Sequence, residues 1–269
     1  MYKHMLNRRM PKPIDPYLPD LRHPDAKVRR AAVKGLRQSR NPAALPHLIA
    51  ALDDRSFGVI FHAVRGLEAL GDPAAIPPLI AMLERDRSCD VCDEIGAALT
   101  EFGEAAVSPL IDALRSPSPR ARSIAARCLG QIGDPLAVPG LIALLDDPHP
   151  WPLSAALAAL WRFKDARAAD PLAAFLTRSE DAIPADEITS PYAQKRAAAY
   201  ALAELGDPRA IDTLADAYTR DRGSCVTTIQ QLGKIHDPRV RPLIERYLDA
   251  DPQTLCASQA RATLEHLAF

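Results

Sequence analysis

One thirteen-residue pattern is written twice in this chain, 62 residues apart. Residues 71–83 read GDPAAIPPLIAML and residues 133–145 read GDPLAVPGLIALL. The leucine that ends the pattern recurs along the chain, mostly at intervals of 31 residues, at Leu21, Leu52, Leu83, Leu114, Leu145, Leu176 and Leu248, with Tyr218 in its place once. An interval of this length is typical of proteins built from stacked units, in which each unit packs only on its neighbours. The pattern therefore predicts one repeating architecture for nearly the whole chain.

Each unit contains two helical patterns. Residues 121–134, ARSIAARCLGQIGD, place apolar or small side chains at intervals of three and four, which is the stripe of an amphipathic helix. Gly133 follows as the helix stop, because glycine tolerates a left-handed backbone. Residues 136–145 form the second pattern, with Pro139 in its first turn and Leu141 in its buried stripe. Together these patterns predict an all-α fold without a sheet, a right-handed α-solenoid of about eight helix pairs, with Leu129 and Leu141 buried.

Three stretches carry a family resemblance: VRRAAVKGL at 28–36, residues 121–147, and KRAAAYALAELGDPRAIDTLADA at 195–217. They resemble the HEAT-like repeats of phycobilin lyase subunits and of many bacterial adaptor proteins, from about Leu21 to Phe269. The resemblance implies a helical-repeat fold and permits a pigment-handling lyase or chaperone. It transfers no catalytic residue, because the motif marks only positions that pack repeats together.

The domain prediction has two parts. Residues 1–20 are predicted to be an extended, basic and proline-rich segment, and residues 21–269 form the solenoid. An insertion at about 177–191, within TRSEDAIPADEITSPY, carries two prolines and four acids and is predicted to be a mobile loop with few apolar anchors.

Residues 1–40 hold eleven Lys and Arg against three Asp, a net charge of +8; since the whole chain carries −1, the remainder carries −9.

Cysteine usage and hydropathy suggest a compartment. The five cysteines are odd in number and irregularly spaced, which argues against a disulfide framework and favours a reducing cytoplasm. No secretory signal and no membrane-spanning segment is expected from the hydropathy. The CDVC sequence at 89–92 lacks both a second ligand pair for zinc and a preceding strand for a thioredoxin-like site, so its simplest interpretation is two small residues at a helix start.

Catalytic arrangements are sparse. His62 and Glu94 occupy matching positions of neighbouring repeats, where they would serve either as a proton-transfer pair or as a structural hydrogen bond. Deoxyhypusine hydroxylases hold iron through His-Glu dipeptides on their repeats, and this chain has none. No metal and no cofactor is therefore expected.

Candidate binding residues fall on two surfaces. Large apolar side chains stand at or near positions where sister repeats carry polar or small residues: Phe57, Ile60, Phe61, Trp151 and Trp161. On the second helices, the residues inferred to line the concave face are Ala50, Ala81, Asp112, Ala143, Ala174, Asp216 and Glu245. That strip is rich in small residues and mildly acidic, which does not favour nucleic acid.

The leading hypothesis is therefore a non-enzymatic scaffold for a protein partner whose identity the sequence does not give. A phycobilin lyase-like protein is the first alternative. A nucleic-acid binder that uses the basic N-terminal end is the second.

Overall fold

The computed structural model describes residues 11–85, 91–250 and 254–267, and over these ranges the chain is helical without a strand. The α-helices are α1 (Ala26–Ser39), α2 (Leu45–Ala51), α3 (Phe57–Leu70), α4 (Ile76–Glu84), α5 (Cys92–Glu101), α6 (Glu104–Ala113), α7 (Pro119–Ile132), α8 (Val138–Ala143), α9 (Pro150–Phe163), α10 (Ala169–Leu176), α11 (Pro191–Glu204), α12 (Ile211–Arg220), α13 (Cys225–Leu232), α14 (Val240–Ala250) and α15 (Leu255–His266). The described helices follow one another as pairs, and α15 closes the series alone. The predicted α-solenoid class is thus confirmed.

The chain divides into two compact units, Met1–Cys128 and Leu129–Phe269. In the first unit, the first helices of successive pairs pack side by side, α1 on α3 and α3 on α5, while α2 packs on α3 and α4 on α5. In the second unit, the first helices α9, α11, α13 and α15 pack in the same succession, and α10, α12 and α14 each pack on the first helix that follows. Every pair therefore buries its apolar stripe against its neighbours.

A shared turn explains why the GDP pattern recurs. Four glycines that follow a first helix have a left-handed backbone, with φ between 57° and 81°: Gly71, Gly103, Gly133 and Gly206. In six turns, an Asn or Asp accepts a hydrogen bond from the backbone N–H two residues later: Asn41, Asp72, Asp134, Asp165, Asp207 and Asp237. The aspartate thus fixes the short 3-10 turn that leads into the second helix.

The predicted leucine positions lie in the core. Leu129 and Leu141 are both fully buried, which confirms the predicted stripe. Leu67 and Leu99 occupy the position of Leu129 in earlier repeats and are equally buried. Burying such a side chain stabilises the fold by about 1.5–3 kcal/mol.

From Asp15 onward the N-terminal segment differs from the extended chain predicted over residues 1–20, whereas residues 1–10 lie outside the described residues. Asp15–Arg22 forms a 3-10 helix, in which a proline in the first turn presets the backbone angle. The ring of Tyr17 occupies the space above Gly35, where a Cβ would clash. The backbone N–H of Lys12 donates to the carbonyl of Ser39 at 3.0 Å. The segment therefore lies on the first repeat.

The insertion between α10 and α11 is held at several points. Ile183 is buried, and the carbonyl of Pro184 accepts a hydrogen bond from Gln194 Nε2 at 3.1 Å. Asp186 accepts from Trp151 Nε1 at 2.6 Å. The sequence predicted few apolar anchors here and missed Ile183, because a single isoleucine among acids and prolines gives no periodic signal. The mobility of the loop stays a prediction.

The cysteine interpretation needs correction. Cys225 and Cys256 form a disulfide that joins α13 to α15, with their Cα atoms 5.9 Å apart. The sequence analysis judged the spacing irregular, yet the two residues are 31 positions apart, which is one repeat. Equivalent positions of stacked repeats are neighbours, and this made the pairing possible. Cys128 is a buried free thiol, and burial raises its pKa. Cys89 lies outside the described residues, so the hypothesis about the CDVC sequence is untested.

Candidate protein-binding surface

Two aromatic side chains, one exposed and one half-buried, lie along one side of α3. The buried side of this helix carries Val59, Ala63 and Leu67, so residues offset from that stripe face outward. Phe57 is 47% exposed and Phe61 is half-buried, and their ring centroids are 6.1 Å apart. We call Phe57 and Phe61 the aromatic row. Ile60 is half-buried beside it.

Three basic residues lie on the neighbouring helix α1. Arg30, Lys34 and Arg37 are spaced by four and three residues, so they follow one face of the helix, and we call them the cationic row. Arg30 and Lys34 are exposed, and among the described residues neither has a carboxylate within ion-pair distance. Gly58 brings the two rows together, because a Cβ there would lie 2.9 Å from Arg30 Cδ. The side chain of Arg30 therefore lies over the start of α3.

His62 connects the two rows. Its Nδ1 lies 3.3 Å from Arg37 Nη1, and its ring meets Phe61 edge-on at 5.4 Å between centroids. Burial lowers the pKa of His62, and the positive charges of the cationic row lower it further. The ring is therefore neutral at pH 7 and accepts a hydrogen bond from Arg37.

The proposed pairing of His62 with Glu94 is not formed, since within the described ranges no hydrogen bond joins them. The second interpretation, a structural hydrogen bond, also required Glu94 as the partner of His62 and is wrong for the same reason. Sequence reasoning aligned equivalent positions of adjacent repeats and missed that His62 packs towards the preceding helix.

The two tryptophans predicted as anchors have different surroundings. Trp151 is 41% exposed, lies 4.7 Å from the ring of His149, and donates to Asp186 of the inserted loop. Trp161 is half-buried, and its Nε1 donates to Glu204 Oε1 at 3.2 Å. Trp161 thus takes part in contacts within its own unit. A binding role for either residue stays a prediction.

The predicted strip on the second helices faces solvent. Its members are exposed: Ala50, Ala81, Asp112, Ala143, Ala174, Asp216 and Glu245. In the second unit its acids have basic neighbours, because Asp216 pairs with Arg220 at 2.9 Å and Glu245 with Arg241 at 3.4 Å. The strip there is therefore less acidic than the sequence suggested.

Glu204 is a polar centre that sequence reasoning missed. Its carboxylate pairs with Lys164 at 2.9 Å and with Lys234, and it accepts hydrogen bonds from Trp161 and Gln231. Burial raises its pKa, but these contacts outweigh burial and hold the pKa at about 2. The sequence contains a signal for these contacts. An acid at the C-terminal end of a helix, such as Glu204, is unfavourable unless cations lie near it, and Lys164 and Lys234 stand at the ends of the neighbouring first helices.

One cleft lies in the first unit. It has a volume of about 370 Å³ and is lined by residues that include Leu21, Val33, His47, Ala50, Asp53 and Asp54. Its carboxylates are already paired, Asp53 with Arg85 and Asp54 with Arg29. Among the described residues, no three His, Cys, Asp or Glu side chains converge to hold a metal ion.

None of the helices that the structure describes has the length and apolar character needed to cross a bilayer.

Two family models together match most of the chain. A family model described as HEAT repeats matches residues 14–100 and 107–190, and one described as PBS lyase HEAT-like repeat matches residues 194–219. These matches confirm the resemblance seen in the sequence. No curated protein matches the chain.

Three solved structures show the range of similar folds. The complex of CpcE and CpcF of phycocyanin lyase from Nostoc sp. PCC7120 is 20% identical, with 100% of this chain and 99% of that chain covered and a TM-score of 0.38. Human deoxyhypusine hydroxylase is 20% identical, with 94% and 95% covered and a TM-score of 0.37. A designed armadillo repeat protein is 19% identical, with 95% and 100% covered and a TM-score of 0.34.

Proposed function

Because this chain belongs to the HEAT-repeat family, we propose that it is a non-enzymatic scaffold that binds a protein partner through the aromatic row. Stacked helical repeats present long, continuous surfaces and generally bind other proteins. The fold itself specifies no reaction, so the proposal rests on the chemistry of this surface.

One observation carries the proposal: Phe57 leaves 47% of its surface exposed beside Phe61. The residues in register with Phe61 in the repeats on either side are Arg30 and Asp93, both exposed and charged. Aromatic side chains are enriched among the residues that dominate protein–protein binding energy. A ring at a position where the neighbouring repeats carry charges, beside a second and exposed ring, therefore supports a contact surface.

The polar groups next to the aromatic row support binding rather than catalysis. Arg37 occupies the Nδ1 side of His62 at 3.3 Å, and burial together with the surrounding positive charge lowers the pKa of the ring. A general base needs access to the proton that it removes and a pKa suited to its task. His62 instead orients the ring of Phe61 and the side chain of Arg37.

Affinity capture tests the proposal. The immobilised wild-type chain, Phe61→Asp and Leu136→Asp should be compared in a native lysate by mass spectrometry. Leu136 is the matched control, since it is 70% exposed in a turn of the other unit. We expect one protein to be retained by the wild type and by Leu136→Asp, and to be reduced at least about tenfold by Phe61→Asp. Equal retention by all three proteins, with helicity intact, would contradict the proposal.

The lyase-like alternative has a direct test. The match of residues 194–219 to the PBS lyase HEAT-like repeat is the observation that favours it. If the purified chain binds a linear tetrapyrrole, the visible absorption of the pigment will shift on mixing. Such a shift, abolished by a substitution that leaves protein capture unchanged, would replace the scaffold proposal.

A further inference from the structure

We propose that the aromatic and cationic rows together bind an acidic amphipathic helix of the partner, an inference that rests on the proposed function. It assigns the chemistry of the ligand, which the scaffold proposal leaves open.

The spacing of the two rows matches a helix. Phe57 and Phe61 are four residues apart on α3, and Arg30 and Lys34 are four residues apart on α1. The axes of packed neighbouring helices lie about 8–10 Å apart. A helix laid along them places side chains one turn apart on the rings, and the side chains of its adjacent face on the cations. The surface therefore suits a helix with one apolar face and one charged face.

The charge of the surface selects acids. Two other basic groups of α1 and α3 have carboxylate partners, Arg29 with Asp54 at 2.6 Å and Arg65 with Glu68 at 2.7 Å. The described residues supply no such partner for Arg30 or Lys34. Burial lowers the pKa of His62, and the positive charges of Arg37, Lys34 and Arg30 lower it further, which is consistent with cations close to its ring. Carboxylates that approach the cationic row would make charge-assisted hydrogen bonds.

The size of the surface favours a peptide over nucleic acid. Three cations flank the aromatic row, which is few compared with the roughly 6–10 phosphates that a duplex-binding protein contacts. Phe61 is half-buried and meets His62 edge-on, so its ring is not a free platform on which a base would stack. A short acidic helix requires neither a larger number of cations nor an aromatic ring that is free for stacking.

Fluorescence anisotropy with defined probes tests the inference. The first probe is a synthetic helix of about 18 residues with leucines on one face and glutamates on the other. Its Lys-for-Glu and Ser-for-Leu counterparts and a single-stranded oligonucleotide complete the set. The full chain is measured as wild type, as Arg30→Glu with Lys34→Glu, as Phe61→Ser, and as Arg115→Glu. Arg115 is the control because it is exposed in the same unit and lies outside both rows. Circular dichroism verifies that each variant is folded.

We expect the glutamate helix to bind about tenfold more tightly than its Lys and Ser counterparts, and more weakly in high salt. The double charge reversal should weaken this binding by about tenfold, Phe61→Ser should weaken it by a similar factor, and Arg115→Glu should change it by less than about twofold.

Several results would overturn the inference. Equal affinity for the Glu and Lys helices, or an unchanged affinity after the charge reversal, would remove the acidic preference. If Phe61→Ser still weakens peptide binding in that case, the proposed function survives. Tighter binding of the oligonucleotide than of any peptide would assign the surface to nucleic acid. The absence of binding by every probe would refute the inference. If peptides bind and Phe61→Ser affects none of them, the inference and the proposed function both fail.

Discussion

The first-helix layers of the two units use aromatic and charged residues in opposite ways. In the second unit, the indole N–H of Trp161 donates to Glu204, the ring lies 5.8 Å from Tyr200, and Lys234 completes the ion pair. In the first unit, Phe57 is exposed and Arg30 and Lys34 have no carboxylate partner among the described residues. The contacts of Trp161 stabilise the second unit, whereas we propose that the aromatic row of the first unit receives a ligand. Under that proposal, an outward aromatic residue is a candidate for binding when its polar neighbours have no partner among the described residues.

The disulfide tests whether the second unit is stabilised by its own internal pairings, and its removal should have the largest effect on stability. Cys225 and Cys256 enclose one repeat of 31 residues. By the chain-entropy estimate, closing a loop of that length stabilises the folded state by about 3–4 kcal/mol. A reductant should therefore lower the melting temperature of the wild type clearly, and that of Cys225→Ser hardly at all. Identical shifts in both proteins would show that this disulfide contributes nothing.

The core leucines test whether the two units differ at the surface alone. Leu99 and Leu129 are equivalent residues of the first and second unit, and both are fully buried. Replacing either with Ala leaves a cavity and should lower the free energy of unfolding by about 2–4 kcal/mol. Chemical denaturation of the two variants provides the measurement. A large loss for one and none for the other would mean that the units differ in their cores as well.

Acid titration tests the contacts of Glu204. Its folded pKa of about 2 lies below the ordinary value of 4.5, so folding favours the ionised form. The resulting stability, about 2–3 kcal/mol, is present above pH 4.5 and is lost as the pH falls towards 2. The difference in unfolding free energy between the wild type and Glu204→Gln should therefore shrink over this range. A difference that stays constant with pH would contradict the assigned contacts.

The aromatic row should give the smallest effect on stability. Phe57 has lost only about half of its exposed surface on folding and fills no cavity. Phe57→Ser should therefore change the free energy of unfolding by less than about 1 kcal/mol, whereas Trp161→Ser should cost about 2 kcal/mol or more. Thermal denaturation of the two variants measures this contrast. Equal costs would mean that Phe57 stabilises the fold as Trp161 does.

Local patterns were sufficient to predict the fold. The intervals of three and four residues identified the helices, and the recurrence of Leu83 and Leu145 identified the stacking. The turn glycine at Gly133 was also predicted, because its φ of 81° follows from the local need for a left-handed residue. Each of these features depends on contacts within one repeat or between adjacent repeats, which a repeating sequence displays directly.

Pairings between specific side chains were harder to predict. The disulfide of Cys225 and the contacts of Glu204 were missed, and His62 was assigned to the wrong neighbour. These pairings depend on which way a side chain points from its helix towards the adjacent one, and repeat spacing alone does not supply that direction. Phe57 is exposed and Phe61 is half-buried, and their predicted role in binding stays a prediction. That Arg30 has no carboxylate partner among the described residues became visible only in the structure.

Site-specific photo-crosslinking tests the central claim, that the aromatic row contacts a partner. A photoreactive benzoyl-phenylalanine at position 61 keeps an aromatic group in place, and the same group at position 136 serves as the exposed control. After irradiation in a native lysate, we expect one discrete adduct from position 61 and none from position 136. No adduct from position 61, or the same adducts from both positions, would contradict the account.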